Sequence, residues 1–206
     1  MARDRSPIVK QSRREGYALH PKAHKIMVKK TGIPGAHAHD RHSKPSLYSI
    51  QLREKQKVRR IYGLLERQFS KLMKEASRKQ GQSGEVLLQF LEQRLDNVVY
   101  RAGFAVSRRG ARQLTGHGHF MLNGRRVDIP SIRIKPGDVI TVRPSSAKNE
   151  YFSKQLDDVL KASVQTQLSW MKSDPKKMTI TITGLPSREE AEPEINEQLI
   201  VEYYSR

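Results

Sequence analysis

The sequence predicts an α+β fold: a helical domain with a basic amino-terminal arm, plus a small inserted module of two to three helices on a small twisted sheet. Three observations lead there. Apolar residues recur at spacings of three and four over residues 48–79 and again over 86–102. Between 119 and 143 the period shortens to two, and Asn123-Gly124 and Pro136-Gly137-Asp138 sit where turns are needed. Cations accompany all of these segments instead of being confined to a tail.

The charge is the strongest constraint on partners. Lys and Arg number 39 against 21 acids, a net +18 with a hydrophobic fraction of only 36%, and mean hydropathy is −0.71. Self-repulsion on this scale works against compactness, so a polyanionic partner is implied, nucleic acid first. Residues 1–60 carry 16 basic and 4 acidic residues and 61–150 carry 16 and 8, whereas 151–206 carry 7 and 9. The polyanion is therefore expected along the first three quarters, with Glu189, Glu190, Glu192 and Glu194 turned to solvent or protein. No apolar run reaches the ~20 residues of a spanning helix and no signal peptide opens the chain. A membrane-surface role also lacks a strongly amphipathic segment with aromatic anchors. Zero cysteines exclude disulfides and thiolate metal sites and agree with a cytoplasmic setting.

Taken in order, residues 1–46 form the basic arm, in which Arg3, Arg5, Lys10, Arg13, Arg14, Lys22, Arg41 and Lys44 are interspersed with Pro and Gly and no helical or strand period persists. It reads as a disordered tail or as an arm that orders against RNA. Five of seven histidines fall here, His20, His24, His37, His39 and His42, but without cysteine or a matching carboxylate they predict no metal site, and no cofactor is expected. Residues 47–85 make the helical domain, with parts of 145–206 packing on it. Gly63 is placed to bend or split its helix, and Arg53, Lys55, Lys57, Arg59 and Arg60 occupy its polar faces, read as an RNA-facing row over an ordinary solvated face.

Residues 86–144 make the module. A helix over 86–102 carries Leu87, Leu91, Leu95, Val98 and Ala102 on one stripe, with Arg94 and Arg101 off it. Ser107 caps a short helix from Arg108 to about Thr115, although Gly110 stands where a capping box wants Glu or Gln. Ala111 and Leu114 face inward, while Arg108, Arg109, Arg112 and Gln113 line the other sides, a good phosphate seat beside helix-start amides. His117 and His119 lead into a strand and the Asn123-Gly124 turn, followed by Arg125. Ile132 and Ile134 alternate with Arg133 and Lys135 as a half-buried strand, and Val139–Arg143 forms the next. Residues 145–206 are expected to supply a helix over 151–163, a strand over 178–183 and a buried last segment at Leu199–Val201, completing the helical domain.

Several longer stretches carry a resemblance: SRREG at Ser12–Gly16, QLREKQKVRRIYG at Gln51–Gly63, RLDNVVYR at Arg94–Arg101, ARQL at Ala111–Leu114, NGR at Asn123–Arg125, KPGDVI at Lys135–Ile140, NEQLIVE at Asn196–Glu202 and the closing YSR. Almost end to end, the chain resembles the S-four family of bacterial small-subunit ribosomal proteins. That resemblance implies a helical domain flanking an inserted RNA-binding module. It implies direct, early binding to a multi-helix junction in the 5′ domain of small-subunit ribosomal RNA, nucleating assembly. A place near the side where mRNA enters, contact with the neighbouring protein S-five, an effect on decoding accuracy and, in some members, repression through mRNA are implied as well. Two departures stand out. Val9 and Ser12 occupy the first two positions of a cysteine zinc knuckle found in many relatives, so no zinc is carried over. Gly110 replaces an acid common at the helix start.

The alternative from another class is an RNA-modifying enzyme, since similar modules are appended to pseudouridine synthases and tyrosyl-tRNA synthetases. Arg94-Leu95-Asp96 mimics a tripeptide of one synthase group. No second carboxylate, Gly-rich phosphate loop or nucleophile–base pair accompanies it, so Asp96 is read as a helix-surface partner for an arginine and the protein as no enzyme. Among the candidate RNA-binding residues, Ser107, Asn123 and Gly124 complete the set of cations, Gln113 and histidines named above.

Overall fold

A computed structural model describes residues 4, 6–30, 32–35, 44–156 and 168–205. They divide into two compact units, one of Met1–Leu87 with Glu194–Arg206, the other of Leu88–Pro193. Both helices and an antiparallel sheet are present, as an α+β chain requires.

The first unit is helical. Two short helices, α1 (Ile8–Glu15) and α2 (Pro21–Lys29), occupy the arm where sequence periodicity predicted neither helix nor strand. Each has local end signals. Gly16 closes α1 in the left-handed region (φ 65°). His20 caps α2 by accepting the Lys22 N–H on Nδ1 at 3.0 Å, with Pro21 at the first helical position. Helix α3 (Leu47–Ile61) starts at Ser46, whose Oγ accepts from Ser49 N at 3.3 Å. It stops because Gly63 turns to φ 64°, and α4 (Glu66–Ala76) follows, so Gly63 splits the helix, one of the two outcomes its placement predicts. The unit's core includes Val58, Ile61, Leu64, Phe69 and Met73, joined by Ile200 from the last helix of the chain (Glu197–Tyr204), which packs on α3.

Helix α5 (Ser83–Glu92) crosses the boundary between the units. The single helix expected over 86–102 breaks at Gln93-Arg94 and restarts as α6 (Leu95–Arg101). At the break, Leu95 N donates to Ile132 O at 2.9 Å and Ile134 N to Gln93 O at 2.9 Å. Residues 132–134 are therefore spent on clasping this break through an isolated Arg94–Arg133 bridge and form no strand, contrary to the alternation of Ile132 and Ile134. Helix α7 runs from Arg108 to Gly116, capped by Ser107 Oγ accepting from Gly110 N at 3.2 Å.

Five strands follow: β1 (Phe120–Leu122), β2 (Arg125–Val127), β3 (Val139–Val142), β4 (Met171–Asp174) and β5 (Thr179–Ile182). Their antiparallel order is β2-β1-β3-β5-β4. Phe120 opposes Val142, Leu122 opposes Ile140, and Ile140 opposes Ile180, so one face carries the apolar residues toward a core with Leu95, Val98, Phe104 and Trp170. The described residues of 145–193, expected on the helical domain, cluster with the module, because β5 pairs with β3; Glu194 onward belongs to the other unit. A short helix, Pro144–Ala147, and one π-helical turn, Tyr151–Gln155, stand between β3 and β4. The expected helix over 151–163 falls mostly outside the described residues.

Candidate nucleic-acid interface

Helix α7 sorts its polar side chains by face. Arg109 and Gln113, four residues apart, are exposed, and His117 is exposed one turn further on. Arg108 and Arg112 share the adjoining, half-buried face. Arg108 Nε donates to Asn97 Oδ1 at 2.8 Å, its Nη2 to Glu192 Oε1 at 2.6 Å, and the guanidinium lies 4.5 Å from the Tyr100 ring centre. Arg112 Nη1 reaches Asp96 Oδ2 at 3.4 Å. The two arginines expected to share one phosphate-facing row with Arg109 are thus already paired to acids.

Arg94 and Arg101 are still more committed. Arg94 is 5% exposed and bidentate on Asp96, which is itself buried and not on the helix surface. Arg101 is bidentate on Glu92, at 3.1 and 2.8 Å.

The β1–β2 hairpin presents the second exposed group. Asn123 (φ 48°) and Gly124 (φ 79°) both lie in the left-handed region that this two-residue turn demands. Asn123 donates through Nδ2 to Asp138 Oδ1 at 2.8 Å and accepts from Val139 N at 2.9 Å, so its side chain builds the turn. Arg125 and Arg126 beyond it are exposed. Arg126 lies against Gly118, where a Cβ would stand only 2.7 Å from its Nε. The absence of a side chain at Gly118 seats Arg126 close to the carboxyl end of α7. Sequence reasoning named Arg125 alone; the glycine between His117 and His119 was the available signal for Arg126. His119 is half-buried, its Nδ1 3.0 Å from Ser146 Oγ and its ring 5.7 Å from that of Phe152. Burial lowers its pKa, and the neighbouring His117 and Arg143 lower it further.

In the first unit, Lys10, Arg14, Lys22 and Lys44 are exposed. Arg13 donates to Gly32 O at 3.0 and 2.8 Å. The α3 row is largely tied down. Arg53 pairs with Glu15 at 3.1 Å, and Arg60 binds the same carboxylate. Lys55, buried, pairs with Glu66 at 2.7 Å and lies 4.5 Å from the Tyr203 ring centre. Lys57 pairs with Glu54 at 2.9 Å, and Arg59 donates to Gln56 at 2.9 Å. Arg3, Arg5, Arg41, His37, His39 and His42 lie outside the described residues. Among the described residues, no three His, Asp or Glu side chains come together as metal ligands.

What the geometry of the described residues offers is positive charge for phosphates, and Asp96, the carboxylate of the synthase-like tripeptide, is held between Arg94 and Arg112. Comparison with known proteins agrees. Residues 3–92 match the ribosomal protein S4/S9 N-terminal domain and residues 93–140 the S4 domain. The chain is 48% identical to small ribosomal subunit protein uS4A of Symbiobacterium thermophilum over 212 residues, covering all of both chains. It is 50% identical to uS4 of Herpetosiphon aurantiacus and 46% identical to uS4 of Thermus thermophilus, again over the full length of each. Full-length identity at this level, with both domains in order, makes the chain a member of the uS4 family of small ribosomal subunit proteins.

Proposed function

We propose that this chain binds the 5′ domain of small-subunit ribosomal RNA at a multi-helix junction, early enough to nucleate assembly. Its cations would neutralise phosphates with counterion release, since A-form grooves offer backbone and 2′-hydroxyls more readily than base edges. The observation that carries this reading is the exposed group of Arg109, Gln113 and His117 on and just past α7, together with Arg125 and Arg126, within the S4-domain match. The exposed arm cations Lys10, Arg14, Lys22 and Lys44 extend the charge. Exposed Leu47, Tyr48 and Ile50 at the start of α3, with Tyr48 5.8 Å from the Tyr203 ring, support a protein neighbour there, for which S-five is proposed. A location near the path of incoming mRNA and a share in decoding accuracy belong to the same proposal.

The test is salt-titrated binding to a 5′-domain transcript, with an unrelated RNA of equal length as control. Arg109→Glu with Arg125→Glu is the variant of choice, because Arg108 and Arg112 hold internal acids and their reversal would disturb folding as well. The double variant should bind at least ~10-fold more weakly and lower the salt slope by about 2. Unchanged affinity and slope would overturn the assignment of this face.

A further inference from the structure

We propose that a groove in the basic arm receives an unstacked guanine of the RNA, with Glu194 accepting from the N1–H and N2–H donors of its Watson–Crick edge. The inference rests on the RNA-binding reading above and adds to it a base-reading site, where the reading itself concerns phosphates.

The groove, of about 460 Å³, lies within the first unit and is lined by Tyr17, His24, Met27, Val28 and Glu194. That volume lies in the range of small-ligand sites and is ample for a purine. His24, Met27 and Val28 are spaced i, i+3 and i+4, so they share one face of α2. Val28 is 72% exposed, the highest value for a large apolar residue among the described residues. With the rings of Tyr17 and His24 on the same walls, this is a surface on which a base can stack.

The walls are built before any ligand arrives. Gly16 ends α1 and the chain folds back, Tyr17 N donating to Ser12 O and Leu19 N to Ser12 Oγ, both at 3.2 Å. Buried Ala23 seats α2, and Arg13 grips Gly32 O beyond its far end. Glu194 is fixed through its backbone. Its carbonyl accepts from Lys57 Nζ at 2.6 Å, and Asn196 N, two residues on, donates to Glu54 Oε1 at 2.9 Å.

The Glu194 carboxylate itself is exposed and has no hydrogen-bond or ion-pair partner among the described residues. Residues 1–60, against which it lies, carry 16 basic and 4 acidic residues. An unpaired acid there repels phosphate and calls for a donor. Guanine is the base that presents two adjacent N–H donors on its Watson–Crick edge, a match for both oxygens of a carboxylate. Lys22, Lys25 and Lys29, at i, i+3 and i+7, share the adjoining face of α2 and are exposed, placed for the phosphates that flank an extruded nucleotide. An apolar protein side chain would fill the same walls but leave the carboxylate unanswered.

The experiment measures binding of the full chain to the 5′-domain transcript and to the unrelated RNA across a salt series, with kethoxal probing of the complexes. Kethoxal attacks N1 and N2 of unpaired guanines, the two atoms that Glu194 covers. The parent chain should protect such a guanine in the transcript. Glu194→Gln should lose that protection and bind about 3- to 10-fold more weakly at an unchanged salt slope. The sign is diagnostic, because removing an acid that merely sits near phosphates tightens binding. Val28→Ser, at an exposed position, should weaken binding about 2- to 5-fold and expose the same guanine. Lys25→Gln should lower the slope by about 1 and keep the protection. Should Glu194→Gln lose folded structure by circular dichroism, Val28→Ser decides by the same protection. Equal or tighter binding by Glu194→Gln, with guanine reactivity as in the parent complex, would overturn the inference while leaving RNA binding intact; a protein segment in the groove would give that result. A parent chain that fails to prefer the transcript would overturn both readings together.

Discussion

Arg94 grips Asp96 through both carboxylate oxygens, Nε to Oδ1 at 3.0 Å and Nη2 to Oδ2 at 2.8 Å, at the point where the chain breaks between α5 and α6. The pair is buried, and the backbone of Arg94 bridges Arg133, so one residue closes an ion pair and clasps a loop. Among the described residues, Arg94→Ala would leave the Asp96 carboxylate with Arg112, at 3.4 Å, as its one cationic partner. A loss of about 3 kcal/mol in denaturant unfolding is expected. The salt slope of RNA binding should not change, because this guanidinium is turned inward. A slope reduced by about 1 would instead place Arg94 on a phosphate.

Glu15 makes the corresponding prediction in the first unit. Its side chain is fully buried at the end of α1, held by Arg53 and Arg60 from α3. Burial raises its pKa, which the two guanidinium groups oppose. Removing the carboxylate in Glu15→Ala leaves Arg60 half-buried without its counter-charge, at an expected cost of about 3 kcal/mol. Glu15→Gln keeps an acceptor for both arginines and should cost distinctly less. Amide exchange checks the origin of the loss: protection in α1 should fall before protection in α3.

Which parts of this were legible follows from how far each determinant reaches along the chain. Ser107 at its cap, Gly63 at its break and Asn123-Gly124 at their turn are local devices, and each does what its residue type predicts. Helices α1 and α2 were missed because they are short and strongly basic, although Gly16 and His20-Pro21 mark their ends. The charge of Arg94, Arg101, Arg108 and Arg112 was plain in the sequence, but their burial was not. Arg108 meets Glu192 from 84 residues away and Arg112 meets Asp96 across 16, and no periodicity announces such pairs. The pairing of β3 with β5 is long-range in the same way, which is why the sheet extends beyond the expected module.

The hairpin supports a third prediction. Asn123 tolerates its positive φ and also bonds Asp138 and Val139, whereas alanine does neither. Asn123→Ala should lower stability by about 1–2 kcal/mol. Asn123→Gly restores the backbone preference alone and should recover part of that. If both variants melt together with the parent, the side-chain bonds are idle. RNA binding should weaken only as far as Arg125 and Arg126, which follow the turn, lose their positions.

His119 supplies a pH dependence with a definite sign. Burial, the adjacent His117 and Arg143 all disfavour its protonated form, so its folded-state pKa lies below the ordinary value near 6.5. The unfolded chain therefore binds this proton first as pH falls. The stability contributed by neutral His119 is complete above about pH 6.5 and is lost as pH drops through the folded-state value. His119→Gln should flatten the part of the stability profile just below pH 6.5. Histidine ring resonances followed by NMR give the direct check: His119 should titrate below the ordinary value near 6.5. A His119 midpoint at or above the ordinary value would show that the Ser146 contact stabilises the imidazolium and would reverse the predicted slope.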